Sequence, residues 1–376
     1  MIKLAWRQLQ LDPVRTSLTV IALGFILCVI LVLKGFEQGQ YLQISKIVLN
    51  RNADLIVAQE GVSNFIAVRS SIPQIARANV ESVDGVINAH PITAIPIIYE
   101  KNNKRTPVYV LVYDTRGGPA HIIEGNGIGD GRDIVIDRSL AQKYGIHLGD
   151  PFLVSDFEFK VSGITNEAAF MMPFAFVNYD GMIDLFIESE IAPDLSTFPL
   201  LSYMLVELDE STDREKTVVE IEAAAPSVDV MTPEQLAARD VSLARTFFSP
   251  IMGLLVTIGY IIAMLLVGTI LYADIRSRVK SFAVLKALGF PLNKLFFAVL
   301  IQALLLLIFA IPLGAILAQG FAIFIQDVAP VYLIYIFEPS VILQTLLASL
   351  VFAAVGALIP LRTIQRSDPM LAFQQG

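Results

Sequence analysis

The sequence predicts a membrane α-helical protein. Four transmembrane helices, arranged one plus three, surround an inserted α+β extracytoplasmic domain of two subdomains on a helical stalk. Three observations carry this reading. Four long runs without a charged residue lie at 16–33, 246–273, 295–326 and 339–361, each near or above the roughly 20 residues that a helix needs to cross hydrocarbon. A polar stretch of about 210 residues separates the first run from the other three. Lys and Arg are unevenly shared among the connecting segments, which fixes an orientation.

Residues 1–15 read as a cytoplasmic interfacial amphipathic helix. Ile2, Leu4, Trp6, Leu9 and Leu11 alternate with Lys3, Arg7 and glutamines, and a Trp beside basic residues suits the headgroup zone. Transmembrane helix 1 is placed at 16–35. Lys34-Gly35-Phe36-Glu37 follows without a small-x-small cleavage site, so the run is expected to be an uncleaved anchor.

The extracytoplasmic domain is placed at 36–247. Its stalk helices are 36–50 and 232–248, the second opening on Thr232-Pro233-Glu234-Gln235, which has capping-box spacing and Pro at the first helical position. Between them, strands are predicted at 54–58, 95–99, 107–113, 133–137, 151–155, 158–164, 174–177 and 202–208. Helices are predicted at 72–83, 138–145, 179–187 and 212–225. The glycines from Gly117 to Gly131 read as a flexible external loop, because they lead into a strand and not into a helix N-terminus that could hold phosphate.

Transmembrane helix 2 is placed at 248–273, a cytoplasmic coupling loop at 274–294, transmembrane helix 3 at 295–326, a short external loop at 327–338, transmembrane helix 4 at 339–361 and a cytoplasmic tail at 362–376. Pro312 and Gly314 are expected to bend the third span. In the fourth, Ser349, Ala353, Gly356 and Ala357 put small residues on one face, which favours close helix packing in lipid.

The first 16 residues carry Lys3, Arg7 and Arg15. The 274–294 loop carries Arg276, Arg278, Lys280, Lys286 and Lys294, and the tail Arg362 and Arg366. The 327–338 loop has only Asp327 and Glu338. Both termini and the 274–294 loop are therefore expected in the cytoplasm and the large domain outside. Residues 37–247 hold 16 Lys and Arg against 30 Asp and Glu, a net charge of −14 within a chain of −8. That excess argues against a nucleic-acid partner. The one cysteine, Cys28, lies in the first run, so the external domain is expected to stand on a packed core without disulfides.

Several chemistries lack their residues. No phosphate loop of the G-x-x-x-x-G-K-[ST] type and no G-x-S-x-G occurs. His90, His121 and His147 have no short metal-site spacing. No catalytic residue, no metal site and no cofactor is assigned to this chain. None of the four runs contains Asp, Glu, Lys, Arg or His, the groups that ion-coupled carriers use for relays. Energy for any transport is therefore expected from elsewhere. The segment Asp274–Pro291 is the best candidate to receive it, although its spacing by itself fits an ordinary connecting helix as well. Val279, Phe282, Leu285 and Leu288 recur three residues apart, Lys286 suits the last turn, Gly289 the C′ position, and Pro291 prevents continuation.

The same segment, Arg276 to Gly289 (RSRVKSFAVLKALG), resembles the R-x-x-E-[IF]-A-v-L-[KR]-A-[LI]-G signature of the FtsX/MacB-like ABC transporter permease superfamily, the type VII group that includes DevC-like and lipoprotein-release permeases. It departs at Lys280-Ser281, where the family usually has an acidic residue. Ile134–Asp137, Leu140-Ala141, Gly145-Ile146, Leu148–Asp150 and Phe159–Ile164 are similar to the family's external-domain pattern. The opening Leu4–Arg7 with Arg15–Thr19 and the tail Arg366–Phe373 resemble its two ends.

The resemblance implies a permease subunit in a bacterial inner membrane. A separate cytoplasmic ATPase subunit binds ATP and Mg, and its cycle moves the external domain by mechanotransmission to export or extract an apolar or amphiphilic substrate. It implies a second permease copy or a sister permease as partner and, in some members, a periplasmic membrane-fusion protein, with membrane lipids around the helices. The ATPase-coupling residues carried over are Arg276, Arg278, Phe282, Leu285, Lys286, Ala287, Leu288 and Gly289. The alternative it implies is an FtsX-like, non-transporting regulator of a cell-wall hydrolase.

Overall fold

The computed structural model describes residues 6–7, 9–65, 70–169, 171–190, 201–277 and 291–358. They form two compact units. One holds Met1–Gly39, Phe248–Asp327 and Ile334–Gly376; the other holds Gln40–Phe247 and Val328–Leu333.

The first long helix described is α1 (Pro13–Leu49), of 37 residues. Then follow β1 (Leu55–Gln59), α2 (Ile75–Glu81), β2 (Val86–Lys101), β3 (Lys104–Tyr113), β4 (Ile122–Gly125), β5 (Asp133–Asp137), α3 (Arg138–Tyr144), β6 (Pro151–Val154), β7 (Phe157–Thr165), β8 (Ala168–Ala169), β9 (Met172–Asn178), α4 (Tyr179–Glu188), β10 (Tyr203–Leu208), α5 (Arg214–Ala224) and β11 (Val228–Met231). A 45-residue helix, α6 (Pro233–Ser277), leaves the sheet, and α7 (Leu292–Val328) and α8 (Pro339–Leu358) complete the described fold.

The strands make one 11-stranded mixed sheet, ordered β11-β1-β10-β2-β3-β9-β5-β7-β4, with β6 beside β7 and β8 beside β9. β3 pairs with β9 and β5 with β7 in parallel; β5 meets β9 antiparallel. The β2–β3 hairpin turns through Asn102 and Asn103, at φ 54° and 59°, the left-handed pair that a two-residue hairpin turn requires.

The sheet serves two separate cores. Ile134, Ile136, Val161, Phe159 and Val110 pack with Leu140 of α3 and Leu185 of α4. Leu55, Val57, Met204 and Val206 pack with Val80 of α2 and Ile221 of α5. The two subdomains expected from sequence are thus two cores on one continuous sheet, which β2, β3 and β9 carry from one to the other. The Gly117–Gly131 stretch is not simply a loop, because Ile122–Gly125 pairs with β7.

Among the described residues, three helices are long and apolar enough to cross a membrane: Pro13–Leu49, Pro233–Ile270 and Phe296–Val328. The segment expected to hold the fourth span forms α8, an apolar helix of 20 residues, whose described apolar part, Pro339–Phe352, is shorter than the other three. Helices α1 and α7 touch backbone to backbone: a Cβ on Gly314 would stand 2.9 Å from the Gly24 carbonyl oxygen, the close approach that small residues permit in lipid. Leu23, Leu27, Val299, Ala303 and Ala310 fill that contact, and Leu9 joins them from the N-terminal segment. Pro312 lies inside α7.

Candidate functional site

Within the sheet-bearing unit, buried ionisable side chains tie the parts of α1 and α6 that belong to it to the connections between the strands. At the end of α1, Arg51 is wholly buried. Its Nε donates to the Ile47 carbonyl of its own helix at 2.9 Å, and Nη1 to the carbonyls of Gly117 and Gly118 at 2.6 and 2.7 Å. Nη2 donates to the carboxylate of Glu167, in the β7–β8 connection. The guanidinium lies 5.2 Å from the centroid of the Phe176 ring, a cation–π placement. Glu167 in turn accepts from the Ala120 amide at 2.6 Å. The last turn of α1 is therefore bonded to the β3–β4 and β7–β8 connections through one side chain. Burial lowers the Arg51 pKa, and the Glu167 charge opposes that fall, as expected of a buried but paired cation.

Gly117 allows this arrangement. Its φ is +96°, and a Cβ there would come 2.9 Å from Leu205 Cδ1. The residue supplies a carbonyl to Arg51 from a backbone conformation that a side chain disfavours.

Asp137 stands near Glu167. Its side chain caps α3, accepting from the Ser139 amide at 2.8 Å and from the Ser139 hydroxyl at 2.5 Å. Burial pushes its carboxyl up to about 7; the bonds from Ser139 pull the other way, and the Glu167 charge adds to the rise.

At the start of α6, the predicted capping box is present. The Thr232 hydroxyl accepts from the Gln235 amide at 3.2 Å, and the Gln235 side chain accepts from the Thr232 amide at 3.1 Å. On the inward face, Leu236 and Ala244 are buried, and between them sits the buried Asp240. Both of its carboxylate oxygens accept from the Phe65 amide, at 3.0 and 3.1 Å. Burial pushes this carboxyl up to about 7 against the pull of that amide.

The residues singled out from sequence divide by position. Arg276 lies exposed in the last turn of α6. Arg278, Phe282, Leu285, Lys286, Ala287, Leu288 and Gly289 fall outside the described residues. Ser349 is buried on α8, its hydroxyl donating to the Thr345 carbonyl at 2.7 Å. Ala353, Gly356 and Ala357 are on the same helix. One turn beyond Ser349 in that direction, Phe352 stacks on Tyr260 of α6 with ring centroids 4.6 Å apart. Among the described residues, no group of three His, Cys, Asp or Glu could hold a metal ion. His90 instead meets the Thr115 hydroxyl through Nδ1 at 2.7 Å.

Sequence reasoning missed Arg51, Glu167 and Asp240. One signal was available: Leu236, Asp240 and Ala244 are spaced by four, which puts an acidic residue on the apolar stripe of a helix.

Two family models match. The MacB-like periplasmic core domain covers residues 16–224, and the FtsX-like permease C-terminal domain covers 253–369. The chain belongs to the FtsX/MacB-like family of ABC transporter permeases. Two uncharacterized ABC transporter permeases of Mycobacterium tuberculosis resemble this permease along its length. One is 24% identical over 379 residues and the other 22% over 377, each alignment covering 99% of both chains. Among solved structures, the permease is similar to the extracellular domain of the noncanonic ABC-type transporter YknZ from Gram-positive bacteria, at a TM-score of 0.36 and 14% identity, over 48% of this chain and 100% of that one. It is also similar to the periplasmic region of MacB from Actinobacillus actinomycetemcomitans, at a TM-score of 0.36 and 9% identity, over 51% of this chain and 94% of that one. An ABC transporter permease works with a partner ATPase subunit, and the apolar helices make this one a membrane protein.

Proposed function

We propose that this permease is a mechanical transmitter. A separate ATPase subunit, which binds ATP and Mg, acts on the 274–294 segment. The long helices α1 and α6 carry the movement to the sheet, whose displacement exports or extracts an apolar or amphiphilic substrate. The reading takes α8 as the fourth span, the termini as cytoplasmic in a bacterial inner membrane, the sheet as extracytoplasmic, and a second permease chain as partner.

One observation supports it above the others: Arg51, just past the end of α1, and Asp240 of α6 are buried and bonded to connections between the strands, Arg51 to the β3–β4 and β7–β8 connections and Asp240 to the Phe65 amide between β1 and α2. Breaking such a contact is costly, since it strands a buried charge or amide. The helices are thus poorly suited to slip against the sheet and well suited to move it. The absence of charged residues from the four apolar runs fits a device that needs no ion relay in the membrane.

The test is co-expression with the ATPase subunit that partners this permease. Arg276→Glu combined with Leu285→Ser should reduce co-purification of the ATPase at least tenfold while the circular dichroism of the permease stays unchanged. Undiminished binding and turnover would show that the coupling segment has been misassigned.

A further inference from the structure

The helices of the membrane unit enclose a cavity of about 90 Å³. Leu31 of α1 and Ala315 of α7 form two of its walls, Thr345 and Leu346 of α8 a third, and Ile336 and Phe337 of the α7–α8 connection the roof. The one hydroxyl in the lining, on Thr345, is turned to its own helix and donates to the Val341 carbonyl at 2.8 Å. A water molecule needs two to four polar partners, and apolar cavities of comparable size stay dry and accept hydrocarbons.

The roof is fixed in place. The Tyr335 amide donates to the Gly35 carbonyl at 2.9 Å, and the Gln326 side chain donates to the Ile334 carbonyl at 3.0 Å. Gly35 is required for this closeness, since a Cβ there would stand 2.5 Å from Ile336 Cγ2. Phe337 is 54% exposed at the edge, so the cavity has a mouth. One turn beyond Leu31, Lys34 pairs with Glu37 at 3.0 Å, which places a polar band beside the roof end of α1.

We infer that this cavity is a socket for a few methylenes in the upper part of one acyl chain of a bilayer phospholipid, whose headgroup lies at the level of the polar band. The medium around these helices below the polar band is hydrocarbon, the walls offer it only apolar surface, and the space matches a few methylenes and not a headgroup. The inference rests on the chain's being a membrane permease and is independent of the coupling role proposed above.

Brominated phospholipid tests it. The full chain carries one tryptophan, Trp6, so Trp6→Phe gives a silent background. In that background, Phe337→Trp reports on the mouth, and Leu347→Trp, at a position 56% exposed on α8, reports on ordinary surrounding lipid. The protein is reconstituted in phosphatidylcholine containing about a tenth of phosphatidylcholine brominated in the upper part of its chains. A socket quenches the Phe337→Trp reporter at least twofold more than the Leu347→Trp reporter, and adding Ala315→Phe, which fills the cavity, removes the excess. Equal quenching at both positions overturns the inference, as does weaker quenching at 337, the result expected if a protein segment covers the mouth. Persistence of the excess in folded Ala315→Phe protein also overturns it. If Ala315→Phe does not fold, the comparison of the two reporters with the cavity intact decides the question alone.

Discussion

Arg51 and Glu167 form an ion pair with both side chains shut off from water, joining the end of the first long helix to a connection 116 residues later. Such a pair contributes modestly to net stability because desolvation offsets much of the attraction, yet removing one partner strands the other. Arg51→Ala should therefore destabilise the full chain by about 3–5 kcal/mol, and Arg51→Met combined with Glu167→Leu should recover most of that loss. Denaturant unfolding of the detergent-solubilised protein checks both. A single mutant that unfolds like the wild type would show that the pair holds nothing.

Asp240 makes a pH-dependent prediction. Its folded carboxyl is pushed up to about 7 from an ordinary 3.8. The folded state thus binds the proton more tightly than the unfolded state does. This favours folding below pH 4, and the advantage is lost as pH rises from about 4 through 7. At about 1.4 kcal/mol per pH unit the effect is on the order of 4 kcal/mol. Asp137, also pushed up to about 7, acts in the same direction. Asp240→Asn, which still accepts from the Phe65 amide, should remove about half of the decline in urea midpoint between pH 4.5 and 8. An unchanged slope would contradict the burial of this carboxyl.

The glycines of α7 supply a controlled pair. Gly314→Ala would press a methyl group to 2.9 Å from the Gly24 carbonyl, and overpacking of this kind costs about 1–3 kcal/mol. Gly320 has nothing within 4 Å, so Gly320→Ala should be neutral or gain up to about 1 kcal/mol from helix propensity. Thermal unfolding in detergent compares them. Equal effects would mean that α1 and α7 do not meet at Gly24 and Gly314.

Thr232→Ala removes the cap at the start of α6 and should cost about 1 kcal/mol. Thr232→Ser should retain the bond from the Gln235 amide and most of the stability. The measurement is the unfolding midpoint of each variant under one condition.

What could be read from the chain follows from the range of the interactions concerned. The strand at 133–137 and the helix after it were legible because Asp137 caps locally and Gly145 ends α3 in the left-handed conformation. The Thr232–Gln235 box is likewise local. The strand β11 was not legible: Val228–Met231 has four residues, too few for an alternation to stand out, and it exists by pairing with β1. The single sheet was hidden for the same reason, since β3 and β9 are joined in parallel across a long stretch of chain. Nothing local marks Arg51, because Gly117 and Glu167, which satisfy its guanidinium tip, lie 66 and 116 residues away. The coupling residues from Arg278 to Gly289 rest on the spacing within that segment and on the family resemblance.

The central claim is that nucleotide-driven motion at the 274–294 segment reaches the sheet through the two long helices. It is tested most directly by double electron–electron resonance on the full chain with its ATPase, in a Cys28→Ala background, with spin labels at Val219→Cys on the sheet domain and Tyr335→Cys on the membrane unit. Trapping the ATPase with ATP and vanadate should shift the distance between the labels by several ångströms, and Arg51→Met combined with Glu167→Leu should reduce that shift while ATP turnover persists. A distance that stays the same on trapping, with the ATPase bound and turning over, would contradict the account.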